Sequence, residues 1–290
     1  MKTLLSLTTV CATLLLAVTA HAAPVKALIL DGQNNHDWKS TTPVIKKIIE
    51  DSGRFTVDVA TSPAKGGDLG SFKPKFSDYK VIVSNYNGEP WSEETKQALV
   101  AYVKGGGGFV SVHAADNAFP EWPEYNQMIA VGGWGGRDEK SGPYLRVREG
   151  KIVKDTTPGR GGSHGAQHDF LIVTREPNHP ITKGLPEKWL HVKDELYDRL
   201  RGPAENVTVL ATAFSSKESN GSGEDEPMLM VIPYGQGRVL HTTLGHSVEA
   251  LKCVGAATAL QRGAEWAATG KVTQKIPANF PTAEKTSSRE

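Results

Sequence analysis

Apolar and polar positions fall into blocks along this chain, and the period of each block switches between that of a strand and that of a helix. Val25 to Leu30 (VKALIL) is a short apolar run that stops at Asp31-Gly32, the pattern of a buried parallel strand emptying into a loop. Ser40 or Thr41 then offers an N-cap, with Pro43 in the first turn. Val44, Ile45, Ile48 and Ile49 follow at helical spacing, and Gly53 ends the segment. Phe55 to Ala60 alternates as a second strand and Tyr79 to Ser84 reads as a third. Ser92 opens a helix carrying Ala98, Leu99, Tyr102 and Val103; Gly105 to Gly108 breaks it before a fourth strand, Phe109 to His113. This order, with its short links, predicts an α/β fold: a doubly wound, mostly parallel sheet with helices on both faces.

The pattern then loosens. Glu121 to Val131 is rich in aromatics and amides, and Gly132 to Gly142 and Gly159 to Gly165 are glycine-rich loops. Between them Leu145 to Val153 predicts a hairpin turning at Glu149-Gly150. Strand patterns return at Phe170 to Val173, Val207 to Ala211, Met228 to Ile232 and Arg238 to His241, and Ser247 begins a last helix running to about Ala267. Residues 271–290, with prolines and many polar side chains, are expected to form a flexible tail. Nothing marks a second boundary, so 23–270 is read as one domain with a loop-rich insertion.

The first 22 residues change this picture. Lys2, the apolar run Leu4 to Val18 and Ala20-His21-Ala22 have the form of a signal peptide cleaved after Ala22, which implies a periplasmic or secreted protein. The run is too short for a confident membrane span, and none is expected after cleavage. Cleavage removes Cys11, one of two cysteines, and leaves Cys253 without an internal disulfide partner. It also removes one of 33 basic residues, which leaves them equal to the 32 acidic ones. A charge near zero gives no reason to expect nucleic acid or an anionic membrane as partner.

In an open parallel sheet ligands bind beyond the carboxyl ends of the strands, near the point where strand order reverses. Strand one runs into His36, Asp37 and Trp38, strand three into Asn85 and Tyr86, strand four into His113 and Asp116, and the last strand into His246. Three histidines emerging at one sheet edge form the clearest chemical signal in the chain. His36 and Asp37 read equally well as caps of the coming helix. His164 and His168 are four apart in a glycine-rich loop, where that spacing does not force both onto one face, so one of them is expected at the site. His179 precedes Pro180 and reads as a turn former, and His241 as a hydrogen-bonded packing residue.

Five segments carry a resemblance: Gly32 to Trp38 (GQNNHDW), Gly106 to Ala115 (GGGFVSVHAA), Asn178 to Leu185 (NHPITKGL), Asp194 to Tyr197 (DELY) and Gly235 to His246 (GQGRVLHTTLGH). In this order, spread from Lys26 to about Trp266, they resemble the ThuA-like (trehalose-utilisation) family. The resemblance implies a flavodoxin-like fold similar to class I glutamine amidotransferases, and it lifts Asp194, Glu195 and Tyr197 above an ordinary solvated charge run. Amidotransfer itself is not expected: the elbow after the fourth strand delivers His113 where those enzymes carry cysteine, Cys253 lies in the last helix, and no GxSxG elbow follows that strand.

The remaining candidates are His113, His246 and Glu195 as acid/base catalysts, or His113, His168 and His246 as ligands of a divalent metal. His36, Asp37, Trp38, Asn85, Tyr86, Asp116, Asp194 and Tyr197 are expected to bind substrate. No HExxH-type motif is present, so a metal site would have to be assembled from distant segments, and metal-free chemistry fits the sequence equally well. No GxGxxG follows the first strand, so NAD is not expected. The resemblance implies a carbohydrate partner, a 3-keto-glycoside or related disaccharide derivative, handled by a lyase, hydrolase or isomerase. Trp38, Tyr86, Trp91, Trp122 and Trp134 are available to stack on sugar rings. A non-catalytic periplasmic sugar-binding or accessory module is the alternative, and a metal-dependent hydrolase of a non-sugar substrate is a further one.

Overall fold

The computed structural model describes residues 23–290; the expected signal peptide, 1–22, lies outside the described residues. The strands, in chain order, are β1 (Val25–Asp31), β2 (Phe55–Thr61), β3 (Val81–Ser84), β4 (Gly108–Val112), β5 (Tyr144–Arg148), β6 (Lys151–Asp155), β7 (Ser163–His164), β8 (His168–Thr174), β9 (Lys188–Asp194), β10 (Tyr197–Asp198), β11 (Thr208–Ser215), β12 (Glu224–Tyr234) and β13 (Gly237–Thr242). The helices are α1 (Trp38–Glu50), α2 (Glu93–Lys104), α3 (Pro123–Ile129), α4 (Val248–Lys252) and α5 (Val254–Thr269).

Nine strands form one sheet in the order β2-β1-β3-β4-β13-β12-β11-β8-β9. The strands from β2 to β13 are parallel, as continuous apolar runs such as VIVS of β3, buried at all four positions, require. The other four are antiparallel and extend the sheet as a hairpin ladder. This is the flavodoxin-like α/β core expected, with an antiparallel wing. Helices α1, α4 and α5 cover one face and α2 and α3 the other. Helix α5 is buried along most of its length, through Ala256, Ala257, Ala259, Leu260, Ala264 and Ala267, and its small side chains let it lie close on the sheet.

Polarity decides which strand ends meet. Because β11 and β9 run in the same direction as β13, the carboxyl end of β9 and the amino end of β8 lie at the same sheet edge as the carboxyl ends of β1, β3, β4 and β13. No described helix is long and apolar enough to cross a membrane.

Three local expectations change. Helix α1 begins earlier than expected, because Asp37 is its N-cap and accepts from Ser40 N; the Thr41 and Thr42 hydroxyls are occupied instead by the Asn85 amide at 3.1 and 3.0 Å. The last helix is broken at Cys253, whose extended ψ of 124° separates α4 from α5. The segment after Lys271, expected to be flexible, is laid along the domain. Glu265 accepts from Thr273, Leu190 N–H donates to the Thr282 carbonyl at 2.7 Å, Phe280 packs on Trp189, and Arg289 pairs with Asp51.

Candidate functional site

The β4 strand ends in a turn at which His113 adopts φ +45°, a left-handed conformation that costs a non-glycine residue roughly 1–3 kcal/mol. The strain aims the imidazole into the space above the sheet edge. There it stacks on Tyr197, ring centroids 4.1 Å apart, and its Nδ1–H donates to the Thr243 carbonyl at 2.6 Å. That bond fixes the tautomer and leaves the Nε2 lone pair facing the site. His36, from the loop after β1, does the same: its Nδ1 is 3.2 Å from Asn34 Oδ1 and its Nε2 points inward. His246 follows β13 through Gly245, whose φ of +122° is a glycine conformation, and presents Nδ1.

Glu195, from the loop after β9, supplies the carboxylate between them. Its Oε2 lies 3.0 Å from His246 Nδ1, 3.4 Å from His36 Nε2 and 3.6 Å from His113 Nε2. Its Oε1 faces His164 Nε2 at 3.7 Å and the Gln167 amide at 3.5 Å. Burial alone would push the Glu195 carboxyl up, but the three imidazoles outweigh it and hold the group far below the usual carboxylate range. His36 is moved down by burial against the opposing pull of Glu195. For His113 burial is overcome by Glu195 and Asp194, and its pKa rises.

The four inward atoms of His36, His113, Glu195 and His246 all lie within 4.8 Å of one another. Tetrahedral ligands at the bond lengths of zinc would stand roughly 3.4 Å apart, so the spacing suits a divalent ion with little movement. His113 Nε2 and His246 Nδ1 are buried and, although both face Glu195 Oε2, neither forms an aligned hydrogen bond; a buried polar atom left so costs about 1–3 kcal/mol. A neutral-imidazole and carboxylate set of this kind fits zinc, manganese, iron or nickel.

The support around this cluster comes from Asp194. Fully buried, it accepts from Glu195 N (2.8 Å), His246 N (3.0 Å) and Gly245 N (2.8 Å), and faces His191 Nε2 at 2.8 Å. Burial would raise its pKa, but His191 and these donors hold it below the ordinary value. Burial opposes the charge on His191 too, yet Asp194 and the neighbouring Cys253 thiol raise it to about 9.

A cavity of about 550 Å³ opens above the cluster, lined by Asn35, His36, Asn87, Asn117, Trp134, His164, Glu195, Tyr197 and His246 among others. Of the expected site residues, His36, His113, Glu195, Tyr197 and His246 come together here, with Trp134 and His164 also lining the cavity, while Asp37, Trp38, Asn85, Tyr86, Asp116, Asp194 and His168 do not. Asp37 caps α1, and Asn85 is spent on Thr41 and Thr42. Tyr86 is buried in an aromatic core with Trp91 and Phe119, and Trp91 and Trp122 lie in the same core. Asp116 is buried against His241 at 3.1 Å. Asp194 holds the loops from behind and does not reach the cavity. His168 turns away to the Ala166 carbonyl at 2.7 Å, and His36 takes the place assigned to it among the metal-facing residues. Of the glycine-rich-loop pair, His164 is the one that reaches the cavity. Asn87 follows the end of the third strand, where the sequence placed amides at the sheet edge; Asn117, Gln167 and His191 carried no sequence signal, since an amide in a loop looks like a turn residue and His191 sat in a strand that the pattern did not reveal.

The family model for trehalose utilisation (ThuA) matches residues 26–267. A ThuA-like protein from Parabacteroides merdae is 52% identical, with a TM-score of 0.90 over 92% of this chain and 98% of that one. A ThuA-like protein from Bacteroides uniformis, 21% identical, has a TM-score of 0.60 over 89% of this chain and 96% of that one, and shares the fold. No curated protein matches the chain.

Proposed function

The chain belongs to the ThuA (trehalose utilisation) family, and from that premise we propose that it is an exported enzyme acting on carbohydrate, a 3-keto-glycoside or related disaccharide derivative. The observation that carries this reading is the His36–His113–His246–Glu195 cluster at the base of an open cavity, with two buried imidazole nitrogens lacking an aligned hydrogen bond. These four residues would hold a divalent ion, which when bound would polarise a substrate ketone and offset negative charge developing on its oxygen.

The chain's own residues supply the rest. Trp134 and Tyr197, ring centroids 4.7 Å apart, form an aromatic corner for a sugar ring, and Asn35, Asn87 and Asn117 offer amides to its hydroxyls. A ketone acidifies the neighbouring C–H, and removal of that proton is common to elimination and isomerisation. With four groups committed to the cluster, His164 is the base. Its Nδ1–H donates to the Gly165 carbonyl at 2.8 Å, so the Nε2 lone pair faces the cavity and accepts the proton.

The first experiment measures metal in the mature protein, Ala23 onward, for wild type, His113→Ala and His246→Ala, alongside turnover of 3-keto-glucosides. We expect close to one ion per chain in wild type, its loss in both variants, and substrate-dependent C–H exchange with solvent deuterium. Failure to bind zinc, manganese, iron or nickel after reconstitution removes the metal and leaves metal-free acid/base chemistry. Binding of sugar without turnover favours a sugar-binding module. Export through residues 1–22 is checked by the N-terminal sequence of the native protein, expected to start at Ala23.

A further inference from the structure

A second cavity, of about 640 Å³, opens beside the first and shares Asn35 and Asn87 with it. Those two residues are bonded to each other: Asn35 N donates to Asn87 Oδ1 at 3.1 Å, and the Asn87 amide donates back to Asn35 Oδ1. They form a low wall between the cavities. Beyond it lie the Trp38 indole, the amide of Asn34, and the ends of Lys39, Lys65 and Glu89.

This second space is built. The Gln33 carboxamide is fixed at both ends, donating to the Pro63 carbonyl at 2.8 Å and accepting from Glu89 N at 3.0 Å. Gly88 lets the chain pack directly on Gln33, since a Cβ there would come within 2.3 Å of it. The first cavity carries the imidazoles and the carboxylate. The second has an aromatic face rimmed by amides, two lysines and Glu89, with no metal-facing cluster of its own among the described residues. Such a lining suits recognition, and its carboxylate is taken up by a bond from Gly66 N at 2.8 Å.

Resting on the carbohydrate reading of the first cavity, we propose that the second is the subsite for the other half of a disaccharide. One glycosyl unit lies over the imidazole cluster, its neighbour stacks on Trp38, and the glycosidic link crosses the Asn35–Asn87 wall. Each cavity is within the roughly 300–1,000 Å³ range of small-molecule sites, and a two-ring ligand uses both where a single ring uses one.

Calorimetry of the mature protein with methyl α-D-glucoside, trehalose and cellobiose tests this. In wild type the better disaccharide should bind about tenfold more tightly than methyl glucoside, a difference of about 1.4 kcal/mol. Trp38→Ala should collapse that ratio towards one, and Trp38→Phe should restore most of it, with circular dichroism checking the fold of each. A ratio near one in wild type, or one that survives Trp38→Ala, overturns the subsite and leaves the catalytic reading standing. Failure of methyl glucoside and of both disaccharides to bind overturns the subsite too, while the catalytic reading is decided separately by turnover of the 3-keto-glucosides.

Discussion

The parallel and antiparallel halves of the sheet feed one cavity by different means. In the parallel half, strands β1, β4 and β13 end at the same edge by construction, so His36, His113 and His246 converge wherever the doubly wound core forms. The antiparallel half has no such guarantee. It brings Glu195 and His164 to the edge only because β9 returns in the direction of β13, and because Asp194 ties the β9 end to the loop of Gly245 and His246. One half therefore offers imidazole nitrogens from a rigid frame. The other adds the negative charge and the base through a tether. Separate substitutions in each half test whether the site needs both.

The largest effect is expected for Glu195→Ala. Without the carboxylate three imidazoles face one another with nothing to neutralise a cation, so bound metal should be lost. Turnover should drop by about 10³-fold or more, several kcal/mol of transition-state stabilisation. Metal analysis with kinetics checks it, and an active, metal-loaded variant would show that the parallel half suffices. His164→Ala comes next: metal content should remain near wild type while kcat falls roughly 10²–10⁴-fold and deuterium exchange disappears. Loss of metal in that variant would make His164 a ligand in place of a base.

Asp194→Asn probes the tether. The new amide N–H groups would face the Gly245 and His191 donors, so the substitution breaks the link while keeping the size. Removing the charge from a buried pair costs about 3–5 kcal/mol of stability. Loosening the loops behind Glu195 and His246 should weaken metal affinity about 10–100-fold. Urea unfolding and a metal titration on the folded fraction separate the two effects. Unchanged affinity would confine Asp194 to stability.

A smaller effect follows from pH. His191 titrates near 6.5 when unfolded and is raised to about 9 in the fold. Its charged form is the one that the fold favours, so its contribution is complete below pH 6.5 and is lost as the pH rises through about 9. Stability should fall across that interval with a limiting slope of about 1.4 kcal/mol per pH unit, and His191→Gln should flatten the curve. Unfolding midpoints at pH 6, 7.5 and 9 give the slope directly.

The same contrast governs what could be read in the sequence. Buried parallel strands are unbroken apolar runs, so β1, β3, β4 and β13 and the loops after them were legible, and with them the three histidines. The family-like DELY segment located Glu195, but β9 itself (KWLHVKD) was invisible, since His191 occupies an inward position where an apolar residue would have declared the alternation. Helix α3 was hidden by its shortness and by Asn126 and Gln127. A strand end names an edge without saying whether the next side chain turns outward or under the sheet. For that reason Tyr86, Asn85 and Asp116 were expected in the cavity and lie in the core. The C-terminal segment has a loose composition that does not announce the contacts holding it, such as Phe280 on Trp189 and Arg289 with Asp51.

The smallest expected effect is also the sharpest contrast within the antiparallel half. His164 and His168 belong to one loop-and-strand segment, four residues apart, and periodicity alone cannot choose between them. The structure separates them by strand register. His164 lies in β7, paired with Tyr197, and its ring reaches the cavity; His168 opens β8 opposite Asp194, and its Nδ1–H is turned back to the Ala166 carbonyl at 2.7 Å. Its ring packs on Phe170 at 5.7 Å and does not line the cavity. His168→Ala should therefore leave metal content and kcat/KM within about twofold of wild type, an effect of roughly 0.4 kcal/mol or less. Loss of metal in His168→Ala, with metal retained in His36→Ala, would mean that the segment re-registers in solution and that His168 replaces His36 in the cluster.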